Sequence, residues 1–127
     1  MAQSSAMSRL RIGIDLVAIS RIAGSIESFG DRFLRKIFTD GEVAYARSTA
    51  APAERLAARF AAKEAAKKAL ELDGVGWRDL EVVRADSGAC ELVLHGAARD
   101  AAGPCQLALS MSHEGDYATA VVICEVP

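Results

Sequence analysis

The first clear pattern in the chain is a strict alternation of apolar and polar positions. It begins at Arg9 and places on one side the apolar residues Leu10, Ile12, Ile14 and Leu16. A period of two is typical of a β-strand with one buried face, so we predict a strand there, with Asp15 on the opposite face beside the small Gly13. The small, polar residues 1–8 predict a flexible leader, and the length of 127 residues predicts a single domain over 9–127.

A helical period follows the strand. Ile22, Ile26 and Phe29 are spaced to share one face of a helix. Ser20 is in position to cap its first turn, and Gly30 is in position to end it. The sequence therefore predicts a short amphipathic helix directly after the strand.

Two further helix starts are marked by local signals. Thr39 lies three residues before Glu42, which is the spacing of a capping box. Pro52 suits a first helical turn, and no breaker interrupts residues 53–72, which we predict to be the longest helix. Its small face consists of Ala58, Ala61, Ala62, Ala65, Ala66 and Ala69. Because alanine adds almost no bulk, we expect another element to approach the helix closely there.

The second half of the chain returns to strand patterns. The segments LEVVR and CELVLHG flank a turn at Ser87 and Gly88 and predict two short strands, and GAARDAAG predicts a short helix or loop. The alternation in CQLALSMSHEGDYATAVVICEV predicts a closing hairpin that turns at Gly115 and Asp116, with His113 at its mouth. The predicted fold class is therefore α+β, with a long helix packed on a small antiparallel sheet.

Charge adds to this picture because it is unevenly distributed. The formal net charge of −2 argues against a general nucleic-acid binder. Residues 53–70 hold five Lys and Arg against two Glu, a local +3, whereas residues 100–127 hold four acidic residues and no Lys or Arg, a local −4. A second cationic group consists of Arg21, Arg32, Arg35 and Lys36. The long helix is thus predicted to present a cationic stripe.

The cysteines and the N-terminal apolar run bear on the compartment. Cys90, Cys105 and Cys124 are odd in number, widely spaced and without metal-ligand spacing, so we predict reduced, buried thiols. The apolar run is interrupted by Asp15 and is too short to cross a bilayer, and no cleavage site follows it. Both features are typical of a cytoplasmic protein.

The long helix carries one carboxylate, Glu64, among four cations, which are Arg59, Lys63, Lys67 and Lys68. One interpretation is an exposed ion pair between Glu64 and Lys68, four residues later. The other is a phosphate site, in which the cations neutralise phosphate oxygens while Glu64 and Asp15 hold a divalent cation. Magnesium suits the second interpretation because it takes only one or two protein carboxylates and leaves other positions to water and substrate phosphate.

Other catalytic patterns are missing from the sequence. No Gly-rich phosphate loop occurs, so an anion would be held by side chains and turn backbone. No Ser-His-Asp or Cys-His triad suggests itself. Ser112 and His113 are adjacent at the hairpin mouth, where a lone histidine is more often structural or solvated.

Five segments match a known family in order and in spacing. They are IGIDLVAISRI, RFLRKIFTDGEVAYA, RLAARFAAKEAAKKAL, WRDLEV and SMSHEGDYATAVVI. From about residue 11 to residue 124 the chain resembles the holo-acyl-carrier-protein synthases, the small class of 4′-phosphopantetheinyl transferases. The strand Asp of G-I-D and the F-x-x-K-E-A-x-x-K-A helix are that family's two signatures. The turn containing Gly74 and Gly76 is shorter than the family's usual Gly-rich turn.

The resemblance implies a magnesium-dependent reaction. A serine of apo acyl carrier protein, of fatty-acid or polyketide synthesis, would attack the β-phosphate of coenzyme A and release 3′,5′-ADP. Asp15 and Glu64 would bind the magnesium, and Lys68 would contact the phosphates and favour the leaving group. The acceptor of the serine proton stays open between Glu64 and a metal-bound water.

The resemblance also implies contacts with coenzyme A and between subunits. Arg59 and Lys63 would help to hold the phosphorylated end of coenzyme A. Ser112 and His113 would approach the nucleotide from a neighbouring subunit of a homotrimer.

Acyl carrier proteins are acidic, which gives the second cationic group a purpose. We expect Arg21, Arg32, Arg35 and Lys36 to dock the carrier protein and raise its association rate. Two other functions stay open: a catalytically silent relative that binds acyl carrier protein, and a nucleic-acid-binding domain built on the cationic helix. The sparse aromatic residues disfavour the second.

Overall fold

The structure is a computed structural model that describes residues 9–127; the predicted leader, residues 1–8, lies outside the described residues. The elements are β1 (Arg9–Ala18), α1 (Ile19–Phe29), α2 (Asp31–Ile37), α3 (Asp40–Arg47), α4 (Pro52–Leu70), a 3₁₀ turn (Trp77–Asp79), β2 (Leu80–Arg84), β3 (Cys90–Leu94), α5 (Gly96–Ala102), β4 (Gln106–Glu114) and β5 (Tyr117–Val126). Within residues 9–127, no helix is both long and apolar enough to cross a bilayer.

Within residues 9–127 the strands form two antiparallel sheets, where the sequence predicted one. The larger has the order β1-β5-β4, and the smaller pairs β2 with β3. In the larger sheet Asp15 lies opposite Ala120, and His113 lies opposite Ala118. The predicted closing hairpin is confirmed as the antiparallel pair β4 and β5. The predicted α+β class, with the long helix on an antiparallel sheet, is also confirmed, because α4 packs on β1 and β5.

The close approach of α4 to the sheet depends on small residues on both sides. The six alanines of its predicted small face are all buried. Opposite them stands Gly13 of β1, where an added Cβ would lie 2.0 Å from the carbonyl oxygen of Ala65 and 2.9 Å from the amide nitrogen of Ala69. No real side chain fits at such distances, so glycine is required at this position. The contact sets how near Asp15, two residues further along the same strand face, comes to α4.

The capping box of α3 is confirmed, but the predicted cap of α1 is wrong. Thr39 accepts from the backbone of Glu42, and the Glu42 side chain accepts from the backbone of Thr39. In α1 the N-cap is Ala18, and Ser20 lies inside the helix, where its backbone N–H and hydroxyl donate to the carboxylate of Asp116. The acceptor comes from the distant β4–β5 turn, so a local sequence signal could not reveal it.

The predicted orientation of two apolar faces also differs. Phe29 ends α1 with 57 % of its surface exposed and does not join Ile22 in the core. The apolar face of β1 points away from α4 and is 60–72 % exposed; its residues are Leu10, Ile12, Ile14 and Leu16. The face that packs on α4 is instead the one with Gly13 and Asp15. In β1 the alternation predicted the strand but not which face is buried within one chain.

The three thiols are free. Cys124 is buried as predicted, whereas Cys90 and Cys105 are partly exposed. Burial raises the pKa of the Cys124 thiol, and the neighbouring Cys105 adds to that increase.

Candidate active site

The centre of the site lies where β1 passes the C-terminal half of α4. The Lys68 ammonium donates to the backbone carbonyl of Ile14 at 2.9 Å and lies 3.4 Å from the Asp15 carboxylate. The Asp15 side chain is only 16 % exposed, whereas that of Lys68 is 56 % exposed. The hydroxyl of Thr119 on β5 donates to the Asp15 backbone carbonyl at 2.7 Å, which fixes the strand at this point.

Glu64 belongs to the same face of α4 as Lys68. Residues four apart on a helix have Cβ atoms about 5–6 Å apart, so Asp15, which contacts Lys68, lies beside the helical face that carries Glu64. Glu64 is partly exposed, and no hydrogen bond or ion pair engages it within residues 9–127. The alternative of a Glu64–Lys68 surface ion pair is wrong, because Lys68 turns to β1.

These side chains fit a magnesium ion by their donor chemistry. Within the described part of the chain, no cluster of three or more His, Cys, Asp or Glu side chains could hold a metal. Two carboxylates, one nearly buried and one unpaired, are instead what magnesium requires when water and phosphate complete its shell. The nearby Lys68 ammonium is a further group suited to a phosphate oxygen.

Lys63 is buried, although the sequence predicted it in the cationic stripe presented by α4. It is fully buried, with its ammonium 2.7 Å from the Glu42 carboxylate and donating to the backbone carbonyls of Trp77 and Leu80. All three ammonium hydrogens thus have acceptors within the protein. The predicted exposure of Lys63 is wrong, because Glu42 and the 3₁₀ turn enclose it, and these contacts favour a structural role over one in coenzyme binding.

Arg59 is also buried, at 3 % exposure, although the sequence predicted it on the exposed half of the helix. It lines a cavity of about 320 Å³ between α3, α4, β2 and β4, which we call the arginine cavity; its lining residues include Arg55, Arg59, Arg84, Ser112 and His113. A larger cavity of about 470 Å³ near the C-terminus has no Lys, Arg or His among the described residues that line it. Of these two cavities, only the arginine cavity has the charge that an anionic ligand needs.

Two of the three guanidinium groups in the arginine cavity lie over the ring of Tyr45. The Arg59 guanidinium lies 4.5 Å from the ring centroid of Tyr45, and that of Arg84 lies 5.6 Å from it. The Nε atoms of Arg55 and Arg59 are buried without a hydrogen-bond partner within the described residues. Burial lowers the pKa of the Arg59 guanidinium, and its neighbours Cys90 and Tyr45 oppose the shift. Unpaired buried donors of this kind are costly unless a ligand accepts from them.

Ser112 and His113 reach the arginine cavity within a single chain. Both are exposed and lie near the end of β4. The His113 ring lies 3.4 Å from the carboxylate of Glu54, on the first turn of α4. The family resemblance implied that both residues approach the nucleotide from a neighbouring subunit, and the structure places them beside Arg59 of their own chain.

Sequence reasoning missed Arg55, Arg84 and Tyr45. Arg55 belonged to the counted cationic stripe, but nothing in its spacing separated it from a solvated cation. Arg84 and Tyr45 lie on other elements, 25 and 14 residues from Arg59 along the chain. Only the packing of α3 and β2 against α4 brings these side chains together.

The predicted docking residues Arg21, Arg32, Arg35 and Lys36 are all exposed. None of these four forms an ion pair with another residue in the described range. Arg32 and Lys36 flank Phe29 and Phe33 in a cavity of about 270 Å³. The surface therefore combines these cations with the exposed ring of Phe29 and the partly buried ring of Phe33.

Comparison with known proteins places this geometry in context. A family model described as the 4′-phosphopantetheinyl transferase superfamily matches residues 11–122. The chain is 49 % identical over 122 residues to the holo-[acyl-carrier-protein] synthase of Koribacter versatilis, covering 91 % of this chain and 98 % of that relative. It is 47 % identical over 118 residues to the synthase of Chlamydia trachomatis serovar D, covering 90 % and 98 %. The solved ACPS–CoA complex of Chronobacterium ammoniagenes is similar with a TM-score of 0.85 and 31 % identity, covering 94 % of this chain and 98 % of that one.

Proposed function

Because the chain belongs to the holo-[acyl-carrier-protein] synthase family of 4′-phosphopantetheinyl transferases, we propose that it transfers 4′-phosphopantetheine from coenzyme A to a serine of an apo acyl carrier protein. The observation that carries this proposal is the juxtaposition of Asp15, Lys68 and the Glu64 face of α4. The similarity to a solved complex with coenzyme A supports the choice of donor.

The chemistry requires charge neutralisation more than covalent catalysis. The seryl oxygen bonds to the β-phosphorus of coenzyme A while the bond to the leaving 3′,5′-ADP breaks, and negative charge spreads over the phosphate oxygens. The Lys68 ammonium is exposed beside Asp15 and can stabilise that charge. Asp15 and Glu64 would hold magnesium, which when bound supplies further charge neutralisation at the pyrophosphate.

We assign the arginine cavity to the phosphorylated nucleotide end of coenzyme A. Its three arginines and the unpaired Nε atoms of Arg55 and Arg59 suit the phosphate groups there. Ser112 and His113 complete its rim. Lys63 is left out of this assignment, since its ammonium hydrogens are already accepted by the protein.

A homotrimer would explain two further features. The apolar face of β1 is 60–72 % exposed in the single chain, which is typical of an interface between subunits. Five helical positions at 100° each put Arg59 and Glu64 about 140° apart around α4, so the carboxylates and the arginine cavity face different directions in one chain. We propose that each coenzyme lies between the carboxylates of one subunit and the arginine cavity of its neighbour, in the cytoplasm.

The carrier protein would dock on the surface formed by Arg21, Arg32, Arg35 and Lys36. Their unpaired positive charges match an acidic partner, and the adjacent Phe29 and Phe33 offer apolar contact to it.

A mass-shift assay tests the proposed function. Apo acyl carrier protein is incubated with the protein, coenzyme A and magnesium, and its intact mass is measured. We expect the mass to rise by one phosphopantetheine group, with 3′,5′-ADP formed in equal amount. An unchanged carrier-protein mass, with the carrier protein still bound, would leave only the catalytically silent binding function.

A further inference from the structure

Cys90 places a thiol in the wall of the arginine cavity. It begins β3, is partly exposed and free, and lines the cavity together with Arg55, Arg59 and Arg84. Cys105 and Cys124 do not line this cavity. Cys90 therefore differs from the other two thiols in lining a cavity with three arginines.

An independent feature shows that the same cavity is built for an anion. Arg59 is 97 % buried, and its Nη1 donates to the backbone carbonyl of Arg55. Its Nε and that of Arg55 lack hydrogen-bond partners within the described residues. The cavity carries three arginines against one carboxylate, Glu54, so a negatively charged molecule is attracted into it. Any anionic molecule drawn there is brought close to the Cys90 sulfur.

We propose that Cys90 is a modification site for anionic disulfides, represented by glutathione disulfide. The Cys90 thiolate, its proton released to solvent, attacks one sulfur of the disulfide and forms a new sulfur–sulfur bond to that half. The other half leaves as a thiolate and takes up a proton, so the disulfide itself is the oxidant and no further reactant is needed. The attached group then occupies the arginine cavity, with its carboxylates toward the guanidinium groups.

The consequence for coenzyme A rests on the proposed function. If the cavity holds the nucleotide end of coenzyme A, the adduct on Cys90 and the coenzyme exclude each other. A reducing thiol removes the adduct by the reverse exchange and restores the cavity. Disulfide stress would then reversibly block coenzyme binding.

The test compares two disulfides and two cysteines in the intact full-length protein. Glutathione disulfide, which is net negative, and 2-hydroxyethyl disulfide, which is neutral, are reacted separately, and adducts at Cys90 and Cys105 are quantified by peptide mass spectrometry. Cys105 serves as an internal control because it is also partly exposed but lies outside the arginine cavity. We expect the ratio of Cys90 to Cys105 modification to be at least about 10-fold higher with the anionic reagent, and to fall with added salt.

Two variants sharpen the result. Cys90→Ser must abolish the preferred adduct, and Arg84→Gln must lower the rate with glutathione disulfide while leaving the rate with the neutral reagent unchanged. Equal Cys90 to Cys105 ratios for the two reagents would overturn the proposal. In a further arm, 3′,5′-ADP, which carries the phosphorylated nucleotide end of coenzyme A but no thiol, is added before the disulfide. Protection of Cys90 supports both assignments, whereas preferential modification without protection supports the Cys90 site and overturns the placement of that nucleotide end in the arginine cavity.

Discussion

Lys63 and Lys68 lie five residues apart on α4 and have opposite environments. Lys63 is fully buried against Glu42, and its contacts tie α4 to α3, the 3₁₀ turn and β2. The Lys68 side chain is 56 % exposed and reaches β1 beside Asp15. Each lysine of α4 forms an ion pair with a carboxylate that is distant in the sequence. The Lys63–Glu42 pair supports the fold, whereas Lys68 beside Asp15 is accessible to a ligand.

The difference lies in the burial of the whole ion pair: both side chains are fully buried in the Lys63–Glu42 pair, whereas Lys68 is exposed in the Lys68–Asp15 pair. Both Glu42 oxygens are occupied, since they accept from the backbone of Thr39 and Val82 as well as facing Lys63. Glu64, next to Lys63 in the chain, has no such partner in the described residues. A satisfied buried carboxylate holds the structure together, whereas an unpaired accessible one can bind a ligand.

The largest effect is expected when Lys63 is replaced by methionine. Lys63→Met leaves the Glu42 carboxylate buried without its cation, which should lower the free energy of unfolding by about 3–5 kcal/mol. Lys68→Met, the matched change at the exposed pair, should lower it by less than about 1 kcal/mol. Urea unfolding measures both values. Equal decreases in unfolding free energy for the two variants would show that burial does not distinguish the two ion pairs.

The second prediction concerns the carboxylates of the site. Glu64→Ala and Asp15→Ala should each reduce carrier-protein modification by at least about 100-fold, because each removes a ligand for the charge-neutralising cation. The fold should remain intact by circular dichroism. Glu91→Ala, on an exposed glutamate of β3 outside the site, is the control and should keep full activity. Full activity of either site variant under limiting magnesium would refute the metal assignment.

Gly13 tests the packing that brings Asp15 beside the face of α4 that carries Glu64. Gly13→Ala places a methyl group on the backbone of Ala65, so β1 must move away from α4. Overpacking of this kind should cost about 1–3 kcal/mol of unfolding free energy. Because Asp15 is carried by the same strand, we also expect weaker magnesium stimulation of coenzyme binding. Gly24→Ala is the control, since a Cβ there meets nothing within 4 Å.

Charge reversal on the docking surface should have a smaller, selective effect. Arg21→Glu and Arg35→Glu should raise the KM for acyl carrier protein several-fold at low salt, and the difference from the unmodified protein should shrink as salt rises. Coenzyme A binding, measured by calorimetry, should not change. Unchanged KM values in both variants would remove this segment from the docking surface.

The smallest predicted effect is a pH dependence of stability from Lys63. Burial lowers its pKa below the ordinary 10.5, and the Glu42 carboxylate opposes the shift. At pH values between the lowered native pKa and 10.5, Lys63 is protonated in the unfolded chain but has lost its proton in the native chain. Because the unfolded state then binds more protons, Lys63 makes the unfolding free energy rise with pH in this range. Lys63→Met should remove that rise. An NMR titration that gives Lys63 a pKa above 10.5 would contradict it.

Much of the fold followed from local patterns in the sequence. The period of two marked β1 and the closing hairpin, and the breaker-free run after Pro52 marked α4, whose alanines are buried as predicted. The Thr39 capping box was likewise confirmed. These features depend on neighbouring residues, which is why the sequence alone sufficed.

The errors arose where a distant segment decides the outcome. The burial of Lys63 and Arg59 depends on Glu42 and Tyr45, which belong to α3. The cap of α1 depends on Asp116, nearly one hundred residues away along the chain. For the site, the sequence and the family resemblance singled out Asp15, Glu64 and Lys68, but the arginine cavity exists only after α3, α4, β2 and β4 pack together.

The most direct measurement is calorimetric titration of coenzyme A with and without magnesium. We expect magnesium to tighten coenzyme binding to the unmodified protein, and we expect no such tightening in Asp15→Ala or Glu64→Ala, although both variants still fold. If magnesium tightens binding equally in all three proteins, Asp15 and Glu64 do not hold the ion and the proposed site is wrong.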